Sequence, residues 1–290
     1  MSEATLIDGI FAPLGARAFA HIRDLADGRG IGVGEAEPVI LVSVVKLFIA
    51  WEFRRQVEEG LIDPEAPIRV RAADRLGGTG TAGFRFDAQV SAWDLAALMM
   101  EVSDNTAADL VVKYLGAGAL RGLPARLGLK HTRLIGSPRA ILEDVARDLG
   151  ISDLEALAHV LASGSVSTGE LRATSAWDPA RTNSSTPADL TAFLRHIWNG
   201  PEPVAADIRT WMSRQLTGGR LSRLAPSDVR VFGRSGSLPG WRNEIAVWEW
   251  PDGRRHALAV FAQVTRDNTR EVELAMSRAA LALTERLSGQ

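Results

Sequence analysis

Apolar and polar positions alternate along the chain in patterns that separate strands from helices. Arg17–Leu25 and Gly30–Gly34 are short apolar-rich runs flanking Asp27-Gly28-Arg29-Gly30, and an Asp-Gly pair supplies the positive φ that hairpin turns favour. These residues predict a β-hairpin. From Ser43 to Glu59 the segment SVVKLFIAWEFRRQVEE predicts a long apolar-rich helix, stopped by Gly60 and followed by the turn-forming Asp63-Pro64. Several helical runs occupy residues 94–200: DLAALMMEV, TAADLVVKYLG, ILEDVARDLG, DLEALAHVLA and PADLTAFLRHIWNG, mostly punctuated by Gly, Ser, Pro or Asn. The strand pattern returns in VRVFGRSG, RNEIAVWEW and RHALAVFAQV, the last two joined by Pro251-Asp252-Gly253, and these three are expected to pair antiparallel. Asn268–Leu287 places Val272, Met276, Ala279, Leu283 and Leu287 at helical spacing, with Asn268 as N-cap, so an amphipathic helix is expected on the sheet.

Strands at both chain ends with helices between them predict an α+β fold. Its α/β lobe, residues 1–42 and 213–290, carries an antiparallel sheet built from both termini together with terminal helices. An all-α lobe, residues 43–212, is inserted into it and includes an enlarged loop region at 135–184.

Composition narrows the chemistry. The 290 residues are 46% hydrophobic and 23% charged, which excludes disorder for most of the chain. Lys plus Arg number 33 against 35 Asp plus Glu, a net charge of −2, so no field favours nucleic acid or anionic lipid. Neither nucleic acid nor a membrane is an expected partner. No run approaches the ~18 apolar residues of a membrane span. Met1–Arg17 contains Glu3 and Asp8 and lacks a basic start followed by an apolar stretch, so a cytoplasmic location is expected. Cysteine is absent and the five His residues are scattered, so thiolate chemistry is removed and neither a metal nor a cofactor is expected. Any nucleophile is Ser, Thr, Lys or a carboxylate.

Three short segments stand out. Ser43-Val44-Val45-Lys46 sets a hydroxyl and an amine at i and i+3 on the first turn of a helix, where a neutral Lys46 can take the Ser43 proton once burial or nearby positive charge lowers its pKa. The bland alternative is an N-cap serine and a lysine whose stem covers apolar surface. Ser103-Asp104-Asn105 links two helical runs, and either caps a helix or faces a cleft. Arg234-Ser235-Gly236-Ser237 ends a strand. There Arg234 can hold a substrate carboxylate, and the Ser237 N–H, with that of Ser43, can form an oxyanion hole. Nearby, Trp241, Phe84 and Phe86 either shape an apolar recognition surface or fill the core.

Taken together, the order, spacing and context of these segments resemble the S-x-x-K, S-D-N and K-T-G set of the class A β-lactamases and penicillin-binding proteins. Gly78-Thr79-Gly80, Leu127-Gly128-Leu129, Ser185-Thr186-Pro187-Ala188-Asp189-Leu190 and Arg242–Val247 extend the resemblance from about residue 17 to the C-terminus. It implies a serine hydrolase with Ser43 as the acylated nucleophile and Lys46 as its base partner. By the same resemblance Ser103 relays a proton to the leaving group, and Asn105 hydrogen-bonds the substrate amide. Arg234 and Ser235 then face a substrate carboxylate, Gly236 completes the strand motif, and Ser237 supplies an oxyanion N–H. The expected partner is a small molecule bearing a carboxylate, and the bond cleaved is an amide, as in a β-lactam, or an ester.

One element of the pattern is missing. The family's deacylating Glu falls about where this chain has Pro138, after Thr132-Arg133-Leu134. Glu143 and Glu170 are the two replacements to consider, and a solvated surface role is the alternative for each. Loss of that base mainly slows deacylation. The competing expectations are therefore an intracellular esterase or acyltransferase, a penicillin-binding-like protein that deacylates slowly, or a non-catalytic binder of small molecules.

Overall fold

In the computed structural model, residues 2–216, 218–265 and 269–289 of the chain are described. Five antiparallel strands form the main sheet in the spatial order Gly30–Val33, Ala16–Asp24, Arg255–Val264, Trp241–Glu249 and Arg230–Leu238. The first and last parts of the chain thus meet at its centre, where Phe19 pairs with Phe261. The Asp27-Gly28 turn forms as its composition predicts, with Gly28 at φ +82°. The three C-terminal strands pair antiparallel, Arg234 opposite Ile245 and Ile245 opposite Ala259.

A two-residue period divides the central strand between two cores. Ala257, Ala259 and Phe261 enter one core, whereas Leu258, Val260, Ala262 and Val264 enter the other. The second core is closed by Glu3–Phe11 and Thr269–Ser288, through residues such as Phe11, Met276 and Leu283. Thr269–Ser288 lies on the sheet as its apolar spacing predicts. Its expected cap, Asn268, lies outside the described residues.

Against the other face sits the helix Val45–Glu58, buried almost all round, the environment that its apolar-rich sequence demands. Two of its buried charges are paired: Glu52 meets Arg55 and Arg126 at 2.7 and 2.8 Å, and Arg54 meets Asp207 at 2.7 Å. Further helices at Ala92–Glu101, Asn105–Leu115, Pro187–Trp198 and Glu202–Ser213 surround it. The last of these was not anticipated from sequence, and Glu3–Phe11 is a terminal helix whose position the sequence did not mark.

The enlarged 135–184 region is folded. Pro138–Asp148, Leu154–Ala162 and Thr168–Arg172 are helices that share a small core of Val145, Ala146, Leu157, Leu171 and Ala176. Among the described residues, no helix is long and apolar enough to cross a membrane.

Candidate active site

Ser43 lies in a single tight turn, Val42–Val44, that leads into the helix Val45–Glu58. Val42 before it has φ +50°, a conformation costly for a β-branched residue and maintained only where its surroundings over-determine it. Those surroundings come from distant parts of the chain. Leu41 N–H donates to Asn183 O at 2.9 Å, Asn243 Nδ2 to Ile40 O at 2.8 Å, and Arg234 Nε to Ser43 O at 3.0 Å. Gly236 completes the fit, since a Cβ there would stand 3.0 Å from Ser43 N and 3.1 Å from both Leu41 O and Val42 Cβ. The glycine is what lets the strand lie against the serine turn.

Lys46, one helical turn on, is almost wholly buried, and its Nζ reaches Ser103 O at 2.6 Å, Ser103 Oγ at 3.1 Å and Asn105 Oδ1 at 2.6 Å. Burial pulls its pKa well below the ordinary lysine value, the Arg234 charge pulls it down further, and Asp104 opposes both. An amine in this environment gives up its proton more readily than an ordinary lysine and so is a better proton acceptor. As an ammonium it donates to all three oxygens. When neutral it has two N–H groups for Ser103 O and Asn105 Oδ1, and the Ser103 hydroxyl can turn its proton toward the lone pair.

The Ser103 turn is also strained, with Ser103 at φ +61°. Asp104 secures it. One carboxylate oxygen accepts from Ala107 N at 3.0 Å and so caps the helix Asn105–Leu115, while the other accepts from Thr81 N at 2.6 Å. Gly80 makes the second contact possible, because a Cβ on it would fall 2.3 Å from Asp104 Oδ2.

On the opposite wall, Arg234 is fully buried and acts within the protein. Its Nε binds Ser43 O, its Nη1 binds Met100 O at 3.0 Å and Gln215 Oε1 at 3.1 Å, and its Nη2 binds Ser103 Oγ at 2.8 Å. Burial lowers its pKa to about 9, with Glu244 opposing, so the guanidinium is charged at neutral pH. Arg234 thus ties the Ser43 turn to the Ser103 turn, and it does not line the cavity described below. Ser235 is buried, and neither it nor Gly236 lines the cavity described below. Gln215 was not recognised from sequence, and no local motif marks it. It accepts from both Arg234 and Ser235 N, the latter at 2.8 Å.

That last bond fixes the orientation of Ser237. Arg230–Leu238 is an edge strand, and its N–H groups alternate sides. Ser235 N points off the sheet to Gln215, so Ser237 N, two residues on, points off the same edge. The Ser237 side chain is exposed, and its Oγ accepts from Arg220 Nη2 at 2.7 Å.

Ser43, Lys46, Asn105 and Ser237 border a cavity of about 390 Å³. Its remaining wall is mostly apolar, and among the described residues no Asp, Glu or His lines it. Pro138 does line it, in the first turn of its helix. Glu143 is exposed and outside the cavity wall; Glu170 is likewise exposed, and its carboxylate is engaged with Ser167 N at 2.9 Å and Ser167 Oγ at 2.6 Å. Both have the surface role weighed for them. Trp241 is core, stacked on Phe19 with ring centroids 5.9 Å apart, and Phe84 and Phe86 do not line the cavity.

The arrangement offers a hydroxyl on a fixed turn, a buried amine, a second hydroxyl beside that amine and an edge-strand N–H. These are the parts that acyl transfer requires. The chain is similar in fold to a mutant of the class A beta-lactamase of the last common ancestor of Gram-negative bacteria (TM-score 0.79, 20% identity, 99% of both chains covered). It is also similar to a beta-lactamase from Xanthomonas campestris (TM-score 0.76, 22% identity, 97% of both chains). A PBP-A mutant, solved as an acyl-enzyme complex with penicillin G, has a TM-score of 0.75 at 18% identity over 98% of this chain and 96% of that one. No curated protein matches the sequence. The model of the beta-lactamase enzyme family matches residues 4–287, nearly the whole chain. The chain therefore belongs to the beta-lactamase enzyme family and is a serine hydrolase of that kind.

Proposed function

We propose that the protein cleaves an amide or ester through an acyl-enzyme on Ser43. Lys46, its pKa depressed by burial and by the Arg234 charge, takes the Ser43 proton as Oγ adds to the substrate carbonyl. The N–H groups of Ser43 and Ser237 hold the oxyanion. The proton passes from Lys46 through the Ser103 hydroxyl to the departing nitrogen or oxygen, while Asn105 hydrogen-bonds the substrate. Water then attacks the ester carbon, its proton returning by the same route. A substrate carboxylate would be met on the Ser237 side, beside the Arg220 charge, rather than by Arg234.

The observation that carries this reading is the placement of Lys46, buried at 1% exposure with its Nζ on Ser103 and Asn105 at the floor of the cavity that Ser43 borders. A wall without carboxylates among the described residues supports a second, narrower reading: acylation by β-lactams is fast, and the adduct persists for want of a lining carboxylate to orient the deacylating water. Intact-mass spectrometry after mixing with penicillin G or p-nitrophenyl acetate, followed over time beside Ser43→Ala, tests both. The expected result is one acyl group on the wild type, none on Ser43→Ala, and slow loss of the penicilloyl mass. Failure of every penicillin and activated ester to add mass would leave only the role of a small-molecule binder.

A further inference from the structure

Beyond the catalytic cluster, one chemistry dominates the cavity. Ile141, Leu142 and Val145 come from one face of the helix Pro138–Asp148, and Leu161, Leu171 and Trp177 from the elements that follow it. The size of about 390 Å³ is that of a small-molecule site, ordinarily about 300–1,000 Å³. Apart from Lys46, no charged side chain among the described residues lines it, and Asn183, one of its few polar residues, is already engaged: Oδ1 accepts from Ile135 N at 2.7 Å and Nδ2 donates to Gly136 O at 3.0 Å. A charged group placed against the apolar wall, away from Lys46, would lose its water without gaining a partner. Leu161, 41% exposed, forms an apolar rim.

The position of the cluster decides which part of a substrate enters. Ser43 and Ser237, which would hold the carbonyl, line the chamber, whereas Ser103, which would protonate the leaving group, does not. The chamber is therefore on the acyl side. Resting on the acyl-enzyme reading above, we propose that the enlarged 135–184 region is an acyl chamber, and that the substrate is an ester whose acyl group is an uncharged alkyl chain of medium length. The bond formed joins Ser43 Oγ to the chain's carbonyl carbon, and the bond broken frees the alcohol, protonated through Ser103.

The test is a series of p-nitrophenyl esters from acetate through butyrate and octanoate to palmitate, read as kcat/KM. Up to octanoate the values should climb by as much as about fourfold per methylene, the transfer gain of one CH₂, and palmitate should fall below octanoate. Leu161→Asp and Leu142→Gln should each lower the octanoate-to-acetate ratio at least tenfold. Leu161 is exposed enough for the first substitution to leave the thermal midpoint near that of wild type. A flat series with acetate turned over would remove the chamber and keep the Ser43 chemistry. Calorimetry of octanamide on Ser43→Ala covers the remaining case. Binding tighter than that of butyramide and lost in Ser43→Ala/Leu161→Asp supports the chamber even where no ester reacts, and absence of binding overturns it.

Discussion

Substituting Gly236 by Ala probes the contact on which the serine turn depends. The added Cβ would stand 3.0 Å from Ser43 N and 3.1 Å from Leu41 O and Val42 Cβ, closer than ordinary van der Waals contact. Two of these neighbours are backbone atoms, and Val42 already has φ +50°, so no side-chain rotation relieves the clash. The strand or the turn must shift by a few tenths of an ångström. Overpacking of this kind costs about 1–3 kcal/mol, and at roughly 2–4 °C per kcal/mol for a large domain the thermal midpoint should drop roughly 2–12 °C. Activity should suffer too. The shift separates the Ser43 and Ser237 N–H groups, and since a misplacement of about 1 Å costs about 100-fold, a few tenths should cost roughly 4–10-fold. Acylation by p-nitrophenyl acetate, timed by intact mass, should slow by about that factor. Gly83→Ala is the control, because nothing lies within 4 Å of its new Cβ. Wild-type acylation and an unchanged midpoint in Gly236→Ala would refute the claim that this glycine sets the distance between the strand and Ser43.

Two further outcomes follow from the buried ionisable groups. Lys46→Met should lower the acylation rate about 10²–10⁴-fold, and the wild-type rate should rise with pH as the amine loses its proton, along a limb well below the ordinary lysine value of 10.5; a limb at that value in stopped-flow acylation would contradict a depressed Lys46 pKa. His21, buried with Nδ1 2.6 Å from Thr191 Oγ1, has its pKa pulled from 6.5 to about 4, by burial first and Arg23 second. The unfolded chain then takes up the proton first on acidification, so the stabilisation is complete above about pH 6.5 and fades toward pH 4, by on the order of 3 kcal/mol. Thermal midpoints between pH 7 and pH 4.5 should fall steeply in wild type and less steeply in His21→Gln, and equal slopes would exclude His21 as the cause.

Periodicity made much of the architecture readable because burial imposes it locally: the hairpin around Gly28, the three C-terminal strands and the helix bearing Lys46 all follow from spacing and punctuation. The grouping of Ser43, Lys46, Ser103 and Asn105 was readable as motifs. The role of Arg234 was not, since a cation at the end of a strand has the same sequence whether it faces solvent or bridges two turns, and only Gln215, Met100 and Ser43 closing around it decide the matter. Val42 gave no signal because a β-branched residue at positive φ runs against its own preference and is held by residues 183, 234 and 243. The 135–184 segment showed its helices but not its apolar wall, which arises where three separate elements converge.

Because Ala16–Asp24 pairs with Arg255–Val264, more than two hundred intervening residues leave and return between neighbouring strands. Such long-range pairing is slow to form. A growing polypeptide halted short of Arg234 and Asn243 would already contain Ser43, Lys46 and Ser103 yet lack the clamps on the Ile40 and Ser43 carbonyls. Synthesis therefore finishes the Ser43 hydroxyl's setting near its end, and prematurely terminated products should take up no acyl group.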